Sequence, residues 1–360
     1  MSKVGSIQYK KLKEISPSQF SSMKNCAYKV VLAEAFDKKA MLPLSANAYM
    51  GTVLHRLLEQ IAKRQILTES DLNAKFDEEL KKMEDKLVLE GIHFLVPLQK
   101  NVKDFGMKKI LLKRHLKPNS LPDPSAVITN RKYLSEEKYK TKDGALVGRI
   151  DLIIEDADEA DIVDFKSGAV TQESFDDEGE AVTGIKEEYK IQLKLYAYLY
   201  ANATNKKVRG LTLVDLAKQK YNVEFTLDEC VKLFDEAKDL LRVVNESIEK
   251  SEFEKLANPS SENCRFCLYR PACSYYLTYL KEDDSLNDVT GEVIEITKYL
   301  NGNISIVVRC NEEHYTITGF GEEKHDYLIS NKNKRLNIFN LKKEFIENVY
   351  SVIKTTVIYE

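Results

Sequence analysis

Residues 148–168 read GRIDLIIEDADEADIVDFKSG. Asp151 is flanked by Ile150, Leu152, Ile153 and Ile154, and Asp164 by Ile162, Val163 and Phe165. Both segments therefore read as buried strands joined by a charged turn. Carboxylates beside buried positions suffer desolvation and mutual repulsion, and a divalent cation is the natural remedy. Lys166, two residues past Asp164, adds an ammonium to the pair. Paired carboxylates, a metal and a lysine are the constellation that hydrolyses phosphodiesters, because the charge building on the phosphate is met by fixed positive charge.

The 360 residues, 43% of them hydrophobic, suffice for one large domain and a small one. Apolar stretches such as HFLVPL fall well short of the roughly 20 residues of a membrane helix. The polar start MSKVGSIQYKKLKE lacks a leader's apolar stretch, so a cytoplasmic protein with no membrane partner is expected. Net charge is only −3, but between Lys100 and Lys132 lie Lys103, Lys108, Lys109, Lys113, Arg114, Lys117 and Arg131, against Asp104 and Asp123. Alone, such a run is a solvated helix face. Beside a phosphodiester-cleaving motif, Lys108, Lys109, Lys113 and Arg114 become candidates for holding a DNA backbone. The 19 tyrosines are compatible with base stacking. No GxxxxGK[ST] run occurs, so ATP-driven unwinding would need a helicase partner.

Six cysteines in such a chain are not disulfides by default. Cys264, Cys267 and Cys273 cluster in NCRFCLYRPACSYY, where Pro271 helps the chain turn. A fourth thiolate would come from Cys26, Cys230 or Cys310. Cys230 lies in an amphipathic helix and Cys310 in a strand, which suits small buried hydrophobes. Cys26 stands beside Lys24 and Asn25, on a helix opened by Ser16 as N-cap and Pro17 at the first position. Four thiolates hold either zinc or an iron-sulfur cluster. One close pair, where a zinc ribbon has two, leans towards the cluster.

The runs SPSQFSSMKNCAYK, GTVLHRLLE, GRIDLI, IVDFKSG, QLKLYAYLY and CRFCLYRPAC follow one another between about residues 15 and 280. In this order they resemble the RecB-like branch of the PD-(D/E)xK nucleases, above all its iron-sulfur members, the AddB nuclease domain and the CRISPR-associated exonucleases. The resemblance implies that His55, Asp151 and Asp164 bind Mg2+ or Mn2+, with the Phe165 carbonyl as a further ligand. Lys166 would orient or activate the attacking water, and Gln192 and Tyr196, four residues apart on one helix face, would match the QxxxY element. Cys26, Cys264, Cys267 and Cys273 would hold a [4Fe-4S] cluster, with zinc as the alternative. One departure is Ala27, where the family often has proline. A histidine ligand favours Mn2+. Singly, each residue has a plainer reading: His55 as a core or surface histidine, Lys166 in a structural ion pair, Gln192 and Tyr196 as the edge of a buried helix face. Glu136 and Glu137 have a weaker claim as a further acidic ligand.

The fold expected is α/β: a restriction-endonuclease-like core with a helical N-terminal part, and a small C-terminal all-β barrel of OB type. Helices are expected at 16–36, 47–64, 70–90 and 98–116, followed by a break at Pro118, Pro122 and Pro124. Strands at 133–140, 145–155 and 160–166 lead through an acidic loop to a helix at 187–204, a strand at 208–216 beside the central one, and a helix at 227–250. Domain boundaries are set at 1–283, divided into a helical part (1–134) and an α/β core (135–283), and 288–360. Five alternating segments from TGEVIEITKYL to VYSVIKTTVIYE form the barrel. Lys298, Tyr299, Tyr315, Phe320, Lys334 and Arg335 are its candidates for single-strand contact, against a protein-docking role. The expected activity is a metal-dependent DNA exonuclease on single strands or duplex ends, in repair, recombination or defence against foreign DNA. The competing reading is a catalytically silent DNA-binding subunit of a helicase-nuclease complex, and cleavage of RNA is a third.

Overall fold

In a computed structural model of the chain, the described residues are 4–116, 131–175, 181–281 and 286–360. Lys117, Asp123 and the prolines of the expected break lie outside them. The chain forms two compact units, one of Leu12–Lys24 and Ala46–Asn245, the other of Met1–Lys11, Asn25–Ser45 and Glu246–Glu360.

Helix α1 (Pro17–Ala35), divided between the units after Lys24, begins at a reciprocal cap: the Gln19 N–H donates to Ser16 Oγ (3.3 Å) and the Ser16 N–H to Gln19 Oε1 (2.9 Å). Helix α2 (Ala46–Ala62) buries Tyr49, Met50, Val53, Leu54, Leu57 and Leu58 at helical spacing, leaving Thr52, His55 and Glu59 on an adjoining face. Helix α3 (Glu69–Leu89) carries a capping box between Thr68 and Asp71. The single helix expected over 98–116 is instead α4 (Leu98–Asn101) and α5 (Phe105–Lys113), ending in a 3-10 turn. Asp104, left-handed at φ 56°, interrupts it.

Strands β1 (Lys132–Lys140), β2 (Val147–Asp156) and β3 (Glu159–Lys166) form an antiparallel meander. The acidic stretch expected to be a loop contains a hairpin, β4 (Thr171–Phe175) with β5 (Ala181–Ile185). Its strands lack the regular apolar alternation that would announce them. Helix α6 (Glu187–Thr204) then leads to β6 (Lys207–Asp215), parallel to β3, and to the short β7 (Lys220–Asn222). The sheet order is β1-β2-β3-β6-β7, so β3 is central as expected, and Ile150, Ile153 and Ile162 are fully buried. Helix α7 (Leu227–Glu249) buries Cys230, Phe234, Ala237, Leu241 and Val244.

The second unit contains the short helices α8 (Ser261–Cys264) and α9 (Ser274–Tyr279) and the strands β8 (Val289–Lys298), β9 (Ile304–Cys310) and β10 (Glu313–Phe320). Helix α10 (His325–Ser330) precedes β11 (Arg335–Lys343) and β12 (Val349–Tyr359). The five strands close as β10-β12-β11-β8-β9, with β10 and β12 parallel. This order, with a helix between the third and fourth strands, is OB-like. Register shifts in β8, β10 and β11 curl the strands. Gly291 is required at the β8–β9 contact, since a Cβ there would lie 2.3 Å from the Arg309 carbonyl oxygen. Val293, Ile306, Val308, Ile317 and Ile338 fill the barrel, and Cys310 is buried as expected. Among the described residues no helix is long and apolar enough to cross a membrane.

Candidate active site and cysteine site

Strand register assembles the first site. The pairs Ser135↔Leu152 and Glu137↔Ile150 bracket Glu136 and Asp151, setting them opposite each other on β1 and β2. Glu136 holds a left-handed backbone, φ 59°, a conformation that costs a non-glycine residue about 1–2 kcal/mol and persists only where its surroundings impose it. His55 Nε2, on α2, lies 3.3 Å from Glu136 Oε1 and 3.5 Å from Asp151 Oδ1. One ligand atom from each of the three falls within 4.8 Å of the others, a group able to hold a metal ion. The other Asp151 oxygen accepts the Phe165 N–H at 2.8 Å, locking β2 to β3.

Asp164 is buried, and its Oδ2 has no aligned hydrogen-bond donor although Lys166 Nζ lies 2.8 Å away. The ammonium is aimed elsewhere: it donates to Gln192 Oε1 (2.7 Å) and stands 4.3 Å from the centre of the Tyr189 ring. Gln192 Nε2 in turn donates to Tyr196 Oη at 3.1 Å, so α6 fixes the lysine through residues on one face. Gly148 lets α6 settle on β2, since a Cβ there would lie 2.8 Å from Leu199 and 2.9 Å from Tyr196.

The electrostatics of the group favour positive charge beside it. Asp151, assisted by Glu136, pushes the His55 imidazole up to about 9 against the effect of burial. Burial and the Asp151 charge raise the Asp164 carboxyl, with Lys166 opposing. Imidazole and carboxylate donors beside a buried carboxylate oxygen that has an ion-pair partner but no aligned hydrogen bond fit a hard or borderline divalent ion. His55, Glu136, Lys108, Arg149, Thr52 and Ser167 line a cleft of about 780 Å3 over this group.

The basic run splits. Lys109 pairs with Asp77 at 3.5 Å and lies over Phe76, and Lys113 pairs with Glu69 at 2.9 Å. The Arg114 carbonyl accepts from Lys218 Nζ. Lys108 alone of the four lines the cleft. On the barrel, Tyr299 is half-exposed and shares a hydrogen bond with Ser305. Lys334 Nζ donates to Asn331, and Arg335 lies opposite Glu292.

The second site lies in the second unit. Cys26, where the backbone of α1 leaves the helix (φ −158°, ψ 99°), shares one cavity with Cys264, Cys267 and Cys273, beside Lys29 and Arg270. Segments more than two hundred residues apart are joined there: the Tyr28 backbone N–H donates to the Leu256 carbonyl (2.9 Å), and the side-chain amides of Asn258 and Asn263 donate to the Asn25 carbonyl. Arg270 braces the loop from inside, donating to the carbonyls of Cys264, Arg265 and Cys267. Burial raises the Cys264 and Cys267 thiols and pushes Cys273 up to about 12. Among the described residues no three of these thiols lie within 4.8 Å of one another.

The structure also places Glu136, which has the weaker claim from sequence, and Arg149, Tyr189 and Arg270, which the sequence does not single out, at these two sites. Arg149 had a usable signal, standing two residues before Asp151 on one strand. The left-handed turn of Glu136 had none.

The structure thus brings His55, Glu136, Asp151, Asp164 and Lys166 into one neighbourhood, with His55 and Glu136 lining the cleft. The chain belongs to the PD-(D/E)XK nuclease superfamily, whose family model matches residues 14–274. None of the curated proteins matches it. Among solved structures it is similar to a Eubacterium rectale protein described as a candidate exonuclease, at 11% identity and a TM-score of 0.37, over 74% of this chain and 88% of that one. Another, described only as structural mimicry for functional antagonism, is 9% identical with a TM-score of 0.20, over 63% and 87%. The family assignment rests on the family model, and neither structural likeness adds to it.

Proposed function

We propose that this nuclease is a divalent-metal-dependent DNA exonuclease of the RecB-like iron-sulfur branch, acting on single strands or duplex ends. The observation that carries the reading is the His55–Glu136–Asp151 group beside buried Asp164 and Lys166 under an open cleft. His55, Glu136, Asp151, Asp164 and the Phe165 carbonyl would hold Mg2+ or Mn2+, which when bound lowers the pKa of water and neutralises phosphate charge. Lys166, fixed by Gln192, presents its ammonium where charge builds on the phosphate. Tyr196 orients Gln192, and its hydroxyl is pushed upward by burial, so it stays a neutral hydrogen-bonding group. Lys108 meets the phosphate backbone in the cleft, while Lys109 and Lys113 are taken up by Asp77 and Glu69 and Arg114 lies off the cleft lining.

Cys26, Cys264, Cys267 and Cys273 are assigned to a [4Fe-4S] cluster. Zinc–thiolate bonds of about 2.3 Å would draw four sulfurs to within about 4 Å of one another. The OB-like barrel would guide single strands through Tyr299, Lys334 and Arg335. DNA repair, recombination or defence, with a helicase partner to unwind duplex, are the settings such an enzyme serves.

The test is digestion of 5'-labelled and 3'-labelled single-stranded DNA with Mn2+ or Mg2+. Lys166→Ala should lower the rate by about 10²–10³-fold, the scale for losing one charge-stabilising donor. Product ladders give the polarity. Absence of cleavage by cluster-loaded wild type would overturn the enzymatic reading in favour of a DNA-binding subunit.

A further inference from the structure

Arg149 lies two residues from Asp151 on β2, about 6.6 Å along the strand, close to the spacing of successive phosphates in a nucleic-acid chain. Directly across the ladder from it stands Lys138, as Glu136 stands across from Asp151. Opposed residues on neighbouring antiparallel strands share a face, and like charges so placed repel. A row of two carboxylates is thus followed by a row of two cations. Arg149 is largely exposed, and its ion-pair partner among the described residues is Glu136, at a loose 3.4 Å. Such an exposed pair is weak, so a better-matched anion can take the guanidinium. Lys138 has no ion pair among the described residues. Lys108, half-buried in α5 and likewise unpaired among them, lines the same cleft as Arg149.

We propose that Arg149, supported by Lys138 and with Lys108 on the cleft wall, is a positioning residue that grips the phosphate next to the scissile one. The inference rests on the nuclease reading above and assigns the neighbouring subsite. A guanidinium takes a phosphate through two parallel hydrogen bonds, fixing direction as well as distance, whereas the two lysines act as point charges. The strand's register over the carboxylates is then set by its backbone, without reading the bases.

The experiment measures anisotropy of a fluorescein-labelled single-stranded oligodeoxynucleotide in EDTA over a range of salt. Arg149→Gln should weaken binding about 5–10-fold, and the slope of log affinity against log salt should fall by about 0.7, the increment for one single-strand phosphate contact. Lys138→Gln and Lys108→Gln should each lower the slope less or equally, and Lys207→Gln, paired with Glu159 at the far end of β3, should leave it unchanged. In steady-state hydrolysis Arg149→Gln should raise KM more than it lowers kcat, with Arg149→Lys recovering part of the loss. An unchanged slope in Arg149→Gln, together with altered Mn2+ affinity by titration, would reduce the residue to a partner of Glu136 and overturn the proposal. A wild type without salt-dependent binding would instead sink the nucleic-acid reading itself.

Discussion

Two buried aspartates, one in each unit, have the same side-chain exposure, 3%, and opposite circumstances. Asp288 receives Arg270 Nε at 2.7 Å, the Tyr276 hydroxyl at 2.6 Å and the Asn340 N–H at 2.7 Å. Asp164 has a misaligned lysine and a neighbouring carboxylate that repels it. A carboxylate buried for structure is saturated with donors, because an unmet lone pair there is a pure loss. A carboxylate buried for chemistry keeps an oxygen available and carries that loss until a cation arrives. The same physics gives mutations at the two positions opposite signs.

The largest effect is expected at the saturated site. Arg270→Met removes the guanidinium from Asp288, from three carbonyls of the cysteine loop and from Asn340 Oδ1. Breaking a buried pair on one side costs about 3–5 kcal/mol, so denaturant unfolding should shift by that amount and the cluster proposed at the cysteine site should be lost on purification. Retention of both would mean that the network is dispensable. Chelating the proposed cluster should destabilise the same unit less, because the backbone hydrogen bond from Tyr28 to Leu256 remains.

At the unsaturated site the sign reverses. The Asp164 carboxyl is raised in the folded chain, so as pH climbs the unfolded state releases its proton first. Stability is fully present below the ordinary carboxylate pKa, about 4, and is lost as pH rises through the raised value. His55, raised to about 9, works in the same direction: its contribution is intact below about 6.5 and disappears through about 9. Metal-free Asp164→Asn should therefore melt about 2–4 °C higher than wild type at pH 8, equal to it at pH 4, and lose both activity and stabilisation by Mn2+. Equal melting at both pH values would show that Lys166 already satisfies the carboxylate.

The comparison also explains what could be read from the chain beforehand. The meander, the five barrel strands and the helices other than the one interrupted at Asp104 followed from apolar periodicity, which survives in sequence because burial is repeated along an element. His55, Asp151, Asp164, Lys166, Gln192 and Tyr196 do lie together, since each sits at a fixed offset on a regular element. What escaped depends on conformations or contacts without a local signature. Glu136 enters through a left-handed backbone in mid-strand. The β4–β5 hairpin offers little apolar alternation. Lys109 and Lys113 meet α3 carboxylates 32 and 44 residues away, a pairing only the fold creates. Arg270, one position before a proline in the cysteine loop, carries no local mark of its place as the loop's internal brace.

The smallest effect tests whether Lys166 is aimed rather than merely present. Its ammonium has three possible anchors: Asp164, the Tyr189 face and Gln192. Gln192→Ala removes a hydrogen bond to a charged group, worth about 1.5 kcal/mol or somewhat more, which translates to roughly tenfold in kcat if that bond holds the lysine in its working direction. Tyr196→Phe, which only loosens Gln192, should lose about threefold, and the double variant should lose little more than Gln192→Ala alone, because the tyrosine acts through the glutamine. Additive losses would instead give Tyr196 a contact of its own with the substrate. An unchanged kcat in Gln192→Ala would leave Asp164 as the group that directs the lysine, so the apparent misalignment of that pair would be corrected as the metal enters.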